Sequence, residues 1–463
     1  MRRRKADLHA RVNGDLALRF TGRGLTSFSG LELFRRFLHG LKFSARLRHH
    51  LRRCDPSGDF SSVALVRLLI AMMVVGARRL RHVRHLVGDP VIQRFCGLGA
   101  WPSERTVSRW LSRCTAPVRT ALQSLNAELV ALAVRPLKLG RLTVDVDGTV
   151  VCTGLQVERA FRGYNPHHRK DKSYYPITAH LAQTGHLLRV QNRSGNVHDG
   201  KAGLPFLRDL LAQIRHQFGR VMTEMRLDGA FFRADILAWM EGRTRYAIKV
   251  PFYQWVGLKP LILARRRWAP VACEVEGFET TLWLEPWKRF VRVAIYRKRV
   301  RHESPKNYQL DLFDPDDGHW EYSAVTTNHT LGLKALWHFM AGRGAHEKAL
   351  AELKHGYAFA SVPGRSFAAN STWQILATLA HNLITSFQLA VGVPRRRKSL
   401  KRTALYVLKT IGTLRYELIA RAGIVQYPQG RPTLTLGAQS ADSGNLSARR
   451  RETRVGSGEF LTR

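Results

Sequence analysis

The sequence predicts an α/β protein: a mixed sheet with flanking helices, interrupted by a β-rich insertion and preceded by a helical region. Three observations carry this. Apolar residues recur at helical spacing from 31 to about 136. From 137 the pattern changes to strict alternation, and strand-like and helix-like segments then follow one another to about 250. Between 251 and 325 that rhythm is broken by short β-like runs rich in tryptophan and arginine, and it resumes afterwards.

Residues 1–30 are basic and punctuated by glycine, which reads as a flexible tail. Residues 31–136 form a helical region rich in arginine. Within it, DPVIQRFCGLGAWPSERTVSRWLSRC predicts a short helix over Pro90–Cys96, a break at Gly97–Gly99, and a second helix capped by Ser103. Val107, Trp110, Leu111 and Cys114 make an apolar face there, while Arg105, Arg109 and Arg113 recur every fourth residue. That is the pattern of a helix-turn-helix with a basic helix turned to DNA. An ordinary amphipathic helix carries the same pattern, and the charge of the chain favours the DNA-reading version.

RLTVDVDGTVV opens the region 137–250, with Thr143, Asp145 and Asp147 on one face of a strand. YYPITAHLAQTGHLLRVQN reads as a hairpin turning at Gln183–Gly185, and 203–219 as an amphipathic helix. The following stretch gives strand, helix, strand. Three consecutive strands and then alternating helices and strands imply a mixed sheet covered by helices. The insertion 251–325 carries Trp255, Trp268, Trp283, Trp287 and Trp320 between basic clusters. The α/β rhythm resumes over 326–390, with a packed helix at 371–390. A helical segment over 391–435 and a polar tail over 436–463 complete the chain.

Composition limits the function. The chain of 463 residues has 75 Lys+Arg against 34 Asp+Glu, a net +41. Self-repulsion on that scale points to a polyanionic partner, nucleic acid before an anionic membrane. The longest apolar run, LLIAMMVV, is too short to span a bilayer. Five scattered cysteines without a CxxC pair suggest a reducing compartment and no zinc site. The expectation is a soluble cytoplasmic, nucleoid-associated protein.

Acidic residues are scarce, so their placement is informative. Asp147 lies on the first sheet strand, followed by Gly148 and Thr149, and Asp228 ends the fourth; loops at the carboxyl ends of sheet strands are where α/β proteins build sites. In GRGAHEKALAELKHGYAF, Glu347 shares a stripe with Arg343 and Lys354 and borders the apolar arc of Ala345, Ala349 and Leu353. Glu352 falls between Lys348 and His355 and is expected in solvent. Two aspartates and a glutamate suit a pair of divalent ions acting on a phosphodiester. Other polar residues have plainer readings: Asp89 as a helix cap, His167 and His168 as phosphate contacts, His198 and Asp199 as turn residues.

The spacing Arg343, Glu347, Lys354, together with VDVDGTVV, GYNPHHRKDKSYYPITAHL, SGNVHDGKAGLPFL and RLDGAFFRADIL, resembles bacterial DDE insertion-sequence transposases with a YREK-type signature, nearest the insertion-sequence "thirteen-eighty" family. The resemblance covers about residues 31–425 and departs from the signature at Met340, where the family has tyrosine. It implies a ribonuclease-H-like core. It also implies that Asp147, Asp228 and Glu347 hold two Mg²⁺ ions, with Mn²⁺ able to substitute, and Asp145 is the alternative to Asp147. Arg343 and Lys354 would meet phosphates. Trp283 or Trp287 would stack on an extruded base, against a simpler role in core packing. The implied function is cut-and-paste DNA transposition: cleavage and strand transfer at terminal inverted repeats of double-stranded DNA, by a homodimer in the assembled complex. The rivals are a metal-dependent DNA nuclease or resolvase on the same fold, and an inactive DNA-binding derivative.

Overall fold

A computed structural model describes residues 24–153, 156–163, 170–197, 199–299, 320–392, 394–396 and 403–436. His167, His168, His198, residues 1–23 of the basic tail and 437–463 of the polar tail lie outside the described residues. The N-terminal helices are α1 (Leu31–Gly40), α2 (Phe43–Leu51), α3 (Ser62–Val75), α4 (Pro90–Cys96), α5 (Glu104–Arg113) and α6 (Ala116–Val134). Each boundary has a local cause. Ser61 caps α3 by accepting from the Ala64 amide, and Gly76 ends it at φ +97°. Asp89 accepts from the Val91 and Ile92 amides ahead of Pro90, Gly97 closes α4 at φ +70°, and Ser103 caps α5. The break and restart expected there are present. Helix α3 is apolar on all sides and almost wholly buried, so it forms the axis of the helical region.

The central sheet has nine strands: β1 (Arg141–Gly148), β2 (Ile177–Leu181), β3 (Leu187–Gln191), β4 (Met222–Leu227), β5 (Arg245–Val250), β6 (Ala269–Ala272), β7 (Val275–Leu284), β8 (Arg289–Arg299) and β9 (Trp320–Thr327). Their spatial order is β3-β2-β1-β4-β5-β9-β8-β7-β6. Strands β1 to β3 are antiparallel neighbours, and β4 and β5 add in parallel to β1. This 3-2-1-4-5 order with those senses is the ribonuclease-H-like arrangement. The strands between 251 and 325 form no separate layer: β9 pairs antiparallel with β5 and joins the hairpin β7–β8 to the same sheet.

Helices α7 (Asp199–Phe218), α8 (Ala234–Met240) and α9 (Leu258–Ala264) precede α10 (Leu333–Ala341), α11 (Gly344–Gly356), α12 (Phe367–Val391) and the short α13 (Ile411–Leu414). Both α7 and α12 begin four residues before their expected starts. The segment expected to be helical over 391–435 is so only in part: among its described residues α13 runs into a wider turn at Arg415–Ile419, followed by an antiparallel pair, Gly423–Gln426 with Thr433–Leu436.

One hydrophobic core joins α1–α6 to α11, α12 and the Leu187 and Val190 side of the sheet. A second lies between the opposite sheet face and α7 to α9. The edge strand β3 is closed by amide side chains instead of another strand. Gln123 donates to the Val190 carbonyl, Gln213 to that of Leu188 at 2.9 Å, and Asn382 both accepts from the Leu187 amide at 2.8 Å and donates to its carbonyl at 2.7 Å. Occupying these groups blunts an edge that would otherwise template pairing. No described helix is long and apolar enough to cross a membrane.

Candidate active site

Parallel pairing of β1 with β4 sets the geometry. Val146 is the register partner of Leu227, so the next residues, Asp147 and Asp228, sit side by side where the two strands end. Adjacent strands stand about 4.8 Å apart. The Thr149 amide donates to the Pro176 carbonyl at 2.9 Å and turns the chain away after Gly148. Asp228 leads into a single 3-10 turn, Gly229–Phe231.

One guanidinium lies between the two carboxylates. Arg343 Nη2 is 2.8 Å from Asp147 Oδ2, close but off the line of a hydrogen bond, and Nη1 is 3.7 Å from Asp228 Oδ1. All three side chains are partly covered, at 16, 22 and 43% exposure. Arg343 stands directly before α11, and Lys354 comes from the same helix. Burial draws the Lys354 ammonium below the ordinary lysine value, against the opposing pull of Cys152 and Asp147. Of the stripe Arg343, Glu347 and Lys354, the first lies against Asp147 and the last feels its charge.

Glu347 is exposed on the first turn of α11. Among the described residues no three acidic, histidine or cysteine side chains are gathered closely enough to hold an ion. The structure thus brings Asp147 and Asp228 together and leaves Glu347 outside that pair. As a donor set the pair fits a hard cation: both ligands are carboxylate oxygens, and they already converge on one positive group.

Asp145 has a different setting. It is fully buried, with Arg226 Nε at 2.5 Å and Nη2 at 2.8 Å, and His180 Nδ1 at 3.5 Å. Burial would raise its carboxyl; the His180 contact and the Arg226 charge outweigh that and hold it below the usual carboxylate range. Both oxygens of Asp145 are engaged by these contacts.

The expectation for Glu352 is corrected. It is half-buried, and its Oε1 accepts from the Ile411 amide at 2.7 Å. Burial raises its carboxyl above the ordinary value of 4.5 despite that bond and the nearby Arg415. The segment that covers it is 59 residues downstream, which no helical wheel can register.

The aromatic residues divide. Trp287 packs at 4.6 Å from Phe232, four residues beyond Asp228, and at 5.3 Å from Trp255. Trp283 is 46% exposed and meets Phe290 across the β7–β8 hairpin at 4.8 Å. Tyr253 and Trp255, 52 and 43% exposed and stacked at 6.3 Å, extend the Phe232 cluster outward. Sequence reading named Trp255 only among the tryptophans of the insertion and passed over Tyr253; the signal was PFYQWVG, aromatic residues in the loop directly after a sheet strand. Arg105, Arg109 and Arg113 are exposed along α5, where they line an open groove of about 620 Å³ with Asp59 and Phe60.

A family model described as "Transposase DDE domain group 1" matches residues 9–447. No curated protein matches the chain. Among solved structures, a cryo-EM structure of a piggyBac transposase synaptic complex with hairpin DNA is similar at 11% identity, covering 86% of this chain and 82% of that one, with a TM-score of 0.43. At that score the likeness carries no argument.

Proposed function

The chain belongs to the transposase DDE domain group 1 family, and from that premise we propose that Asp147, Asp228 and Glu347 are its metal-binding carboxylates in DNA strand cleavage and transfer. The observation that carries this is the convergence of Asp147 and Asp228, at the ends of adjacent parallel strands, on a single cationic group. Glu347, exposed on the neighbouring helix, is the third donor and completes the set when DNA and ions are present. Bound there, a pair of Mg²⁺ ions, or Mn²⁺ in their place, supplies Lewis-acid stabilisation of the attacking and leaving oxygens of a phosphodiester.

The chain's own groups do the rest. Asp147 and Asp228 would hold the ions at the strand ends. Arg343 and Lys354 pair with non-bridging oxygens, Arg343 as a fork and Lys354 as a half-buried point charge. In the first reaction water attacks phosphorus, the 3′-oxygen leaves and takes up a proton, and a 3′-OH and a 5′-phosphate result. In the second, a 3′-OH attacks the phosphorus of another phosphodiester and gives up its proton, a new phosphodiester forms, and the displaced 3′-oxygen of the attacked strand leaves and takes up a proton.

The basic face of α5 binds the terminal repeats of the element. Trp283, or the Phe232–Trp255–Trp287 cluster near Asp228, offers aromatic faces to an unpaired base, worth about 1–3 kcal/mol per base. Two ends are held by a dimer. The setting is a bacterial insertion sequence of the "thirteen-eighty" type, with the protein at the nucleoid. Met340, in the tyrosine place of the signature, packs beside Trp337 and Phe339 on α10.

The test is nicking of a labelled duplex carrying the ends that flank the gene, with Mg²⁺, by wild type, Asp147→Asn and Asp228→Asn. Both variants should bind the duplex and fail to nick it. Nicking by either variant at the wild-type rate would refute the assignment. Nicking without any joining by wild type would favour a nuclease.

A further inference from the structure

Two residues before Asp147 on β1 stands Asp145, and two before Asp228 on β4 stands Arg226. With a period of two, each lies on the same sheet face as the carboxylate beyond it. The strand register sets Asp145 opposite Arg226. Both side chains are fully buried, and they meet as a fork, Nε to Oδ1 at 2.5 Å and Nη2 to Oδ2 at 2.8 Å.

The remaining nitrogen reaches a third element. Arg226 Nη1 donates to the Phe339 carbonyl at 2.7 Å and to Thr403 Oγ1 at 3.3 Å, and the guanidinium carbon lies 5.2 Å over the Phe339 ring. Phe339 belongs to α10, three residues before Gly342. A Cβ at Gly342 would stand 2.3 Å from Arg226 Nη1, so a side chain there would force this guanidinium to shift. Gly342 immediately precedes Arg343 and α11. On its other side Asp145 meets His180, whose ring packs 5.2 Å from His346 of α11, the residue before Glu347. The elements that supply the proposed metal-binding carboxylates therefore converge on one buried ion pair.

Stability does not call for such a pair. Desolvating two charges offsets most of their attraction, and apolar residues of similar volume serve a core as well or better. What a forked pair supplies and apolar side chains do not is direction: it fixes both the separation and the angle of the groups it joins. Resting on the reading of the site given above, we propose that Arg226, forked onto Asp145, is a positioning residue. It holds the strand ends bearing Asp147 and Asp228, and the α10–α11 corner bearing Arg343 and Glu347, at the spacing that divalent ions need.

The experiment compares wild type with the double variant Asp145→Leu/Arg226→Met and the single variant Arg226→Lys, with Asp147→Asn and Asp228→Asn as references. Four quantities are read: thermal midpoint, duplex binding, Mn²⁺ affinity by calorimetry, and the Mg²⁺ concentration for half-maximal nicking. The double variant should melt near wild type and bind duplex equally. Its Mn²⁺ affinity should fall, and its Mg²⁺ requirement rise, by roughly 10–100-fold, the usual effect of removing a group that orients a ligand. Arg226→Lys keeps the charge, loses the fork, and should shift both in the same direction. Unchanged Mn²⁺ affinity and Mg²⁺ requirement in either folded variant would overturn the proposal, since the pair would then only fill space. Nicking by Asp147→Asn and Asp228→Asn at the wild-type rate would instead remove the reading of the site on which it rests.

Discussion

Glu347 and Glu352 lie on one helix, five residues apart, and the structure predicts opposite consequences for replacing them. Glu352→Ala removes the acceptor for the Ile411 amide, which belongs to a residue only 1% exposed. A buried donor left without a partner costs about 1–3 kcal/mol. For a cooperative unit of about 150–250 residues, 2 kcal/mol corresponds to a fall in Tm of roughly 4–8 °C. Glu352→Gln keeps an oxygen in place and removes a carboxylate that burial disfavours. Because the folded pKa is raised, the native state favours the protonated acid, and ionised Glu352 is a liability that grows as pH rises above 4.5. Glu352→Gln should therefore melt at or slightly above wild type at neutral pH. Glu347→Ala, on an exposed first turn, should leave Tm within about 1–2 °C, since surface changes stay within roughly 0.5 kcal/mol. Differential scanning calorimetry on the three variants decides. Equal losses for Glu352→Ala and Glu347→Ala, or none for Glu352→Ala, would refute the placement of Glu352 against Ile411.

His186 and His346 are drawn down to about 3 and His381 to about 4, chiefly by burial, so all three fold neutral. Their depressed values mean that the stability they support is complete above 6.5 and is lost as pH falls toward 4; a Tm that stays flat from pH 7 to 4.5 would contradict this. Asn382→Ala should destabilise by about 2–6 kcal/mol, because the Leu187 amide and Asn126 Oδ1 both lose their partner, and urea denaturation would register it. Replacing Arg105, Arg109 and Arg113 together by alanine should flatten the slope of log K against log salt for duplex binding by up to about 3, and an unchanged slope would remove α5 from the DNA interface.

Much of this fold was legible because its signals are local. Strict alternation in RLTVDVDG, the Asp89–Pro90 and Ser103 caps and the Gly97 stop each act within a few residues, and the elements appear where those signals put them. Asp147 and Asp228 were legible for a related reason, since polar residues closing sheet strands stand out against apolar runs. What stayed hidden depends on pairs distant in sequence. Glu352 meets Ile411, Arg226 meets both Asp145 and Phe339, and the edge of β3 is closed by Gln123 and Asn382. Asp145 and Asp147 look equivalent on a strand diagram. Only the register that sets Arg226 opposite Asp145 separates them.

The central claim is that this site cuts and then joins DNA strands through Asp147, Asp228 and Glu347. Its most direct test is a cleavage and strand-joining assay with Mg²⁺ on a labelled duplex carrying the flanking ends, comparing wild type, Glu347→Gln and Glu352→Gln. Nicking followed by joining in wild type and Glu352→Gln, with neither in Glu347→Gln, is the predicted result. Nicking and joining by Glu347→Gln at the wild-type rate would contradict it.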